Sequence, residues 1–431
     1  MTDFDAPVRL LVIGAGNRGG QAYAGWCLRH PEAAVVTGIA DRDEERLAAV
    51  GDVHGVPAEH RYGDWRTALS GPGPWDAVIV TTPDRMHVDP TLRALELGYD
   101  VLLEKPIAPT PSELDRLIAA AKDRPGAITV SHVMRYTPFF NALKRLLDEG
   151  HIGDLQGVQH AEHIAYWHFA HSYVRGNWHR AADSSPMLLA KACHDLDILR
   201  WLVGSPCIAV SSFGDRRHFR IENAPPGSTD RCIDGCAVAA SCPYNAHRFY
   251  VEQLAGVETW PVSVITSDPS PEGRLKALRE TDYGRCVYRM DNDVVDHQTT
   301  SLRYANGVTA SLVVSAFTER NTRLITMMGS HGEINADLDA GRIEVVRFGA
   351  SGPTVAGLPP AERYVERVSG GHGGHSGGDA GLTADFAERI RRRRAGLPVQ
   401  AAPSAFEESL ESHWVAFAAE RSRQNGTVEY L

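Results

Sequence analysis

Lys105 stands in Glu104-Lys105-Pro106, directly after the apolar run Val101-Leu102-Leu103, and far upstream of it lies Gly14-Ala15-Gly16-Asn17-Arg18-Gly19. The glycines match G-x-G-x-x-G. The first permits a tight turn, the second lets a pyrophosphate approach the backbone, and the third lets the next helix pack on its strand. The helix that opens here, with Asn17 and Arg18 in its first turn, aims amide hydrogens at the phosphates. The loop follows Leu10–Ile13, and an acid, Asp41, closes the next apolar run, Val35–Ala40. A carboxylate there accepts hydrogen bonds from the adenine ribose hydroxyls and repels a 2′-phosphate, which favours NAD; Arg42 beside it leaves NADP open. Asp41 reads equally as a helix N-cap. A lysine at the carboxyl end of a later strand lies where a nicotinamide ring would lie, and its ammonium can polarise a carbonyl or stabilise an alkoxide. Together the two motifs point to a nicotinamide-dependent oxidoreductase.

Two further groups of residues could do chemistry. Tyr166 to Arg180 is dense in aromatic and hydrogen-bonding side chains. Such a segment suits a polyol, whose ring faces pack on aromatics while its hydroxyls meet polar groups. Its candidates are Tyr166, His168, His171, Arg175, Asn177 and Trp178, with Arg175 suited to an anionic substrate such as a sugar acid. Cys232, Cys236, Cys242 and His247 could close a tetrahedral structural zinc site, with Cys286 as another fourth ligand; reduced, metal-free thiols are the competing reading. A catalytic metal is not expected, because a closed site leaves no open position.

Positioning these residues calls for two domains, 1–136 and 137–431, in a chain of 431 residues. From residue 8 to 134, short apolar runs (Leu10–Ile13, Ala34–Ala40, Ala77–Thr82, Val101–Leu103, Ile128–Met134) alternate with amphipathic stretches. This pattern predicts an α/β domain, a doubly wound parallel sheet of Rossmann type. Pro111–Lys122 reads as a helix, with Thr110 as N-cap and Glu113 at the third position. Beyond Tyr136 the pattern becomes α+β: a large, mostly antiparallel sheet covered by helices on one face. Its strands are expected at Val294–Tyr304, Val308–Phe317, Thr322–Gly329, Glu333–Ala336 and Ile343–Phe348, with a hairpin at Ala305-Asn306-Gly307. Helices are expected at Pro138–Glu149, Met187–Val203 and Ser404–Arg423. Asn223–Cys242 is irregular, and Ser369–Gly378 reads as a mobile lid or a disordered loop.

Composition excludes several classes. The formal net charge of −10 argues against nucleic acid as the main partner. The run Arg391 to Arg394 reads as a solvated helix end. No apolar run suits a membrane span, and the first strand begins too early for a signal peptide, so the cytoplasm is expected. Seven cysteines are an odd number, not a disulfide framework.

With these pieces in place, the chain resembles the glucose–fructose oxidoreductase / inositol dehydrogenase (Gfo/Idh/MocA) family. The resemblance rests on Gly14–Gly19, Thr82-Pro83-Asp84-Arg85-Met86-His87, Glu104-Lys105-Pro106 and Cys193-His194-Asp195-Leu196-Asp197. It implies hydride transfer with a sugar, inositol or related polyol, and a homo-oligomer, dimer or tetramer, built on the sheet domain. It puts Thr82, Pro83, His87 and Glu104 at the cofactor, and Lys105 near both nicotinamide and substrate hydroxyl. The family pattern D-x-G-x-H-x-x-D is matched by His194 and Asp197. It is broken at Ala190 and Ala192, with Lys191 beside the missing carboxylate. On a continuous helix Lys191 and His194 share a face, so a Lys–His pair would replace an Asp–His pair, with His194 as general base held neutral by the ammonium. Asp195 is either a substrate contact or the ion-pair partner of Lys191. Two alternatives stay open: an NAD-dependent glycosidase working by transient oxidation, elimination and re-reduction, and a non-catalytic NAD-binding regulator.

Overall fold

The structure, a computed structural model, describes residues 6–349, 362–369 and 374–431. Strands β1 (Val8–Ile13), β2 (Ala34–Ala40), β3 (Arg61–Tyr62), β4 (Ala77–Val80), β5 (Asp100–Leu103) and β6 (Ile128–Val130) form one sheet in the order β3-β2-β1-β4-β5-β6. Every pairing is parallel. Strands β4, β5 and β6 are buried along their whole length, which is why they read as unbroken apolar runs. Chain order reverses between β1 and β4, and in such sheets the ligand crevice opens at that point, beyond the carboxyl ends of the strands. Gly14, Thr82 and Lys105 all follow strands at that edge. Thr110 caps Pro111–Ala121 as expected: its hydroxyl donates to the Glu113 carboxylate at 2.6 Å and accepts from Glu113 N at 3.4 Å.

The second sheet has nine strands. They are β7 (Leu155–Ala165), β8 (Cys207–Asp215), β9 (His297–Tyr304), β10 (Thr309–Thr318), β11 (Thr322–Gly329), β12 (Gly332–Asp337), β13 (Arg342–Arg347), β14 (Glu362–Arg367) and β15 (Glu429–Tyr430). Their order is β14-β13-β12-β11-β7-β10-β9-β8-β15, antiparallel except where β10 runs parallel to β7. Alternating burial along β9 and β10 marks one covered face. Helices Cys193–Val203 and Phe406–Asn425 pack there. The hairpin forms as read: Tyr304 N donates to Val308 O at 2.9 Å, with Gly307 at φ 89°.

Three expectations are corrected. The apolar run at Ile128 yields a strand only to Val130, because the chain turns into a short helix at Val133–Tyr136. Met187–Val203 is two helices, Met187–Ala190 and Cys193–Val203, broken at Lys191 and Ala192. The arginine run is not a solvated end: Arg394 reaches Asp76 at 3.3 Å and Arg393 pairs with Asp100, fastening helix Gly378–Arg394 to the parallel sheet. In the glycine-rich segment, residues 370–373 lie outside the described residues. Within the described part, His375–Gly377 makes a short helical turn, with His375 and Ser376 at φ 50° and 54°, values that non-glycine residues seldom adopt.

Candidate active site

The glycine loop is shaped by close backbone approach. A Cβ on Gly14 would lie 2.6 Å from Thr81 O, and one on Gly19 would lie 1.9 Å from Gly14 O, whereas Gly16 has nothing within 4 Å on that side. A tight turn therefore presents one open backbone flank at Gly16, which fits a dinucleotide's pyrophosphate. Asp41 braces the loop, accepting from Ala15 N at 2.6 Å, Asp43 N at 2.8 Å and Arg46 at 3.1 Å. The arginine on Asp41 is thus Arg46; Arg42 is exposed. Asp41 is not the helix cap, since Asp43 caps Glu44–Val53. Asn17 bonds Gln21 at the surface.

Three residues expected at the cofactor serve the scaffold. Arg18 donates to Glu104 at 2.6 Å, to Tyr23 at 2.6 Å, and with two nitrogens to Asp379 at 2.8 and 2.9 Å. It ties the glycine loop to the Glu-Lys-Pro motif and to helix Gly378–Arg394, instead of facing a phosphate. Glu104 is buried and also accepts from Ser131 Oγ and Lys105 N. Burial alone would raise its carboxyl, but Arg18 and Lys105 prevail and hold it at about 2. His87 is buried between Pro106 O at 2.6 Å and Thr82 O at 2.7 Å, bracing the two loops that follow β4 and β5. Thr82 donates to Met86 O, and Pro83 precedes the short helix Asp84–Met86.

Lys105 lies near enough to His194 for its charge to act on the imidazole. The Lys105–Pro106 bond is cis, and Lys105 Nζ donates to Ala190 O at 2.9 Å. Ala190 stands where the family pattern has a carboxylate, so a backbone carbonyl receives the ammonium instead. His194 is buried with neither ring nitrogen hydrogen-bonded. Burial first, then the charges of Lys105, His132, His375 and Arg323, hold it well below the usual imidazole value. The rings of His132 and His375 lie 5.8 and 5.9 Å from it.

Lys191 follows neither sequence expectation. The helix break at 191–192 removes the regular three-residue spacing to His194, and the amine pairs with Glu162 at 3.3 Å. Asp195 is neither its partner nor exposed to a ligand. It is buried against Arg323 at 2.7 Å and His160 at 2.7 Å, and Arg323 also reaches Glu162 at 3.1 Å. Asp197 pairs bidentately with Arg135, both contacts at 2.7 Å. Burial followed by Arg323 and Lys105 lowers the Lys191 amine from its usual value, while Glu162 and Asp195 oppose the shift.

The aromatic segment divides. Tyr166 is half-buried, and His168 lies near enough for Lys191 to depress it after burial, while its Nδ1 donates to Asn321 Oδ1 at 2.8 Å. His171 is buried behind them against Tyr250 Oη at 2.6 Å, Arg175 points away toward Tyr244 O at 2.8 Å, and Asn177 is exposed. Trp178 donates to Asp84 at 3.2 Å, and Ser185 to the same carboxylate at 2.8 Å, closing the two sheets over the loop after β4. Sequence reading missed Glu162, His132 and His375. A signal for the first was present: His160 and Glu162, two apart in an alternating strand, share its buried face.

The zinc site is not formed as expected. His247 turns its Nδ1 to Glu252 at 3.0 Å, and among the described residues no three His, Cys, Asp or Glu side chains converge on one ion position. All seven cysteines are free. Among the described residues, no helix is long and apolar enough to cross a membrane.

Comparison with known proteins agrees with this geometry. Residues 8–132 match the oxidoreductase family's NAD-binding Rossmann fold, and residues 144–427 match its C-terminal alpha/beta domain. A putative oxidoreductase, YteT of Bacillus subtilis (strain 168), is 24% identical over 401 residues, covering 90% of each chain. Inositol 2-dehydrogenase 2 of Paenarthrobacter aurescens (strain TC1) is 29% identical over 252 residues, 57% of this chain and 71% of that one. A levoglucosan dehydrogenase solved with NADH and L-sorbose superimposes with a TM-score of 0.68 at 17% identity, covering 99% of both chains. The chain belongs to the Gfo/Idh/MocA family of oxidoreductases and carries that family's NAD-binding Rossmann fold.

Proposed function

We propose that the chain transfers a hydride between NAD and a hydroxyl-bearing carbon of a sugar, cyclitol or related polyol, with Lys105 and His194 as its catalytic side chains. The observation that carries this reading is a buried imidazole with neither ring nitrogen hydrogen-bonded, within electrostatic reach of a half-exposed ammonium anchored on Ala190 O. The glycine loop and Asp41 would hold the dinucleotide, which supplies the hydride acceptor. Lys105 Nζ, beside the reacting oxygen, stabilises it as an alkoxide or polarises it as a carbonyl. His194, neutral in the free protein, takes the hydroxyl proton on a ring nitrogen or returns it in the reverse direction. Tyr166 and His168 would flank the substrate, with the Lys191–Glu162 pair facing its hydroxyls. Substrate deuterated at the reacting carbon tests the reading: the label should appear in the reduced nicotinamide, and label exchanged into water instead would refute hydride transfer.

The depressed His194 sets a pH dependence. Lowering the pH through 6.5, the usual histidine value, leaves His194 deprotonated, because its own value lies well below. The profile of kcat/KM should therefore show no acid limb near 6.5. A limb there that disappears in His194→Gln would contradict the assignment.

Asp41 sets cofactor choice. Its carboxylate holds the loop and stands where the ribose hydroxyls would bind, so Asp41→Ala should weaken NAD by roughly tenfold or more, the scale of a charged hydrogen bond. NADP should be affected less, narrowing the gap between the two. Calorimetry showing tighter NADP binding in the unmodified protein would refute this.

A further inference from the structure

Oxidising a carbinol carbon breaks a C–H and an O–H bond: the hydride goes to NAD, and the proton goes to His194. His194 must lose that proton before the next turnover, yet it is 4% exposed and neither ring nitrogen has a hydrogen-bond partner. Two imidazoles flank it, and His132 leads inward. Its ring is fully buried, and behind it lie two further buried groups. One is His413, its ring 6.0 Å away and its Nε2 engaged by Ile107 N at 2.7 Å. The other is Asp197, already held by Arg135. Lys105 is no outlet, since an ammonium has no acceptor. The carboxylate that the family pattern places four residues before the histidine is absent, its position being Ala190.

The other neighbour opens outward. His375 keeps 36% of its side-chain surface exposed, and its ring centroid lies 5.9 Å from that of His194 at a tilt of 54°. One bridging water spans such a gap. His375 Nδ1 lies 3.0 and 3.2 Å from the two oxygens of Asp379. A carboxylate only accepts, so Nδ1 carries the hydrogen and Nε2 is the basic nitrogen. Asp379 is buried and held by Arg18 at 2.8 and 2.9 Å. It sets the tautomer of the ring and stabilises an imidazolium formed in passing. Arg18 Nη1, 3.5 Å from the same Nδ1, opposes a lasting charge there, so a proton is passed on and not stored. The backbone is specialised for this placement. His375, Ser376 and Gly377 take φ of 50°, 54° and 90° in succession. Non-glycine residues hold such values only where the surroundings over-determine them, as happens at functional sites. The surroundings here are tight: a Cβ on Gly374 would lie 2.1 Å from Asp379 Oδ2, and one on Gly378 would lie 2.3 Å from Val133 O.

We infer that His375, oriented by Asp379, is the outlet through which the proton taken by His194 reaches solvent. The inference rests on the proposed hydride transfer with His194 as base. His375 acts through His194, so it is a positioning residue for the proton and does not touch the reacting atoms. A carboxylate–imidazole pair from the start of helix Gly378–Arg394 thereby serves His194, whose own segment carries Ala190 in place of the pattern's carboxylate.

The test follows NADH absorbance and proton release together in stopped flow, the proton with an indicator dye in weak buffer. The full chain is mixed with NAD and, in turn, myo-inositol, glucose and gluconate. The unmodified protein should release its proton in step with NADH. His375→Gln keeps a hydrogen-bonding side chain beside Asp379 but carries no proton. It should form its first NADH near the unmodified rate while the proton trails by roughly 10²-fold, the lower end of what a positioned proton carrier contributes. Imidazole added to the solution should restore its steady turnover, which a merely structural defect would not allow. If His375→Gln fails to fold, His375→Ala takes its place. A variant whose proton keeps step with NADH, or whose lost turnover imidazole does not restore, would overturn the outlet while leaving hydride transfer intact. An unmodified protein that forms no NADH from any of the three would remove the underlying reaction, and the outlet with it.

Discussion

Lys105→Ala should lower turnover by roughly 10²- to 10⁴-fold, the range for losing a positioned acid–base group. The ammonium stands at the carboxyl end of β5, beyond the sheet's switch point, with Nζ held 2.9 Å from Ala190 O. Removing it deletes the charge that stabilises the reacting oxygen and one of the charges that keep His194 neutral. Arginine would not substitute, since a planar fork neither fits the anchor nor places a point charge there. Binding of NAD should change far less, because the glycine loop and Asp41 lie at a separate part of the crevice. Steady-state kinetics together with calorimetry make the comparison. Near-normal turnover, or turnover lost in proportion to NAD affinity, would remove Lys105 from the chemistry.

Arg18→Ala is expected to destabilise the fold by about 2–4 kcal/mol, a discount for partial exposure on the cost of breaking a buried ion pair. Arg18 is the cation between Glu104 and Asp379, whose side chains are only 5% and 7% exposed. Both carboxyls are held below their usual range, Glu104 at about 2, through opposition of Arg18 to burial. A depressed carboxyl contributes stability that is present above its unfolded value and is lost as the pH falls through its folded value. The Arg18→Ala protein should therefore lose more stability at neutral pH than in acid. Adding Glu104→Gln to Arg18→Ala should recover part of the loss, since an uncharged amide needs no counter-ion. Denaturant titrations at two pH values measure this. An Arg18→Ala protein as stable as its parent would show that the tie between loop and helix contributes nothing.

The local parts of the site were legible in the sequence. Gly14–Gly19 and Glu104–Pro106 each follow an apolar run, and a parallel sheet converts that order into position at one edge. Contacts made by residues far apart in the chain were not legible. Arg18 meets Asp379 across 361 positions, and nothing in G-x-G-x-x-G says that its guanidinium turns from the phosphates. His375 reaches the cleft through a glycine-rich segment that has no hydrophobic pattern to read. Lys191 misled because apolar periodicity continues through Met187–Val203, while the backbone breaks at 191–192. The arginine run reads as solvated because the acids that receive it, Asp76 just before β4 and Asp100 at the start of β5, lie some three hundred positions away in the chain. Within the aromatic segment, residue type alone does not separate contact residues from packing: His171 and Arg175 are buried against Tyr250 and Tyr244.

The most direct measurement is stoichiometry. The purified chain is incubated with NAD and a panel of sugars, sugar acids and inositols, and reduced nicotinamide is counted against product. For a turned-over substrate the account predicts one NADH for each carbinol carbon oxidised, with the Lys105→Ala protein producing almost none. A product released with no net NADH, as from an NAD-retaining glycosidase, or no turnover of any polyol by a protein that binds NAD, would contradict it.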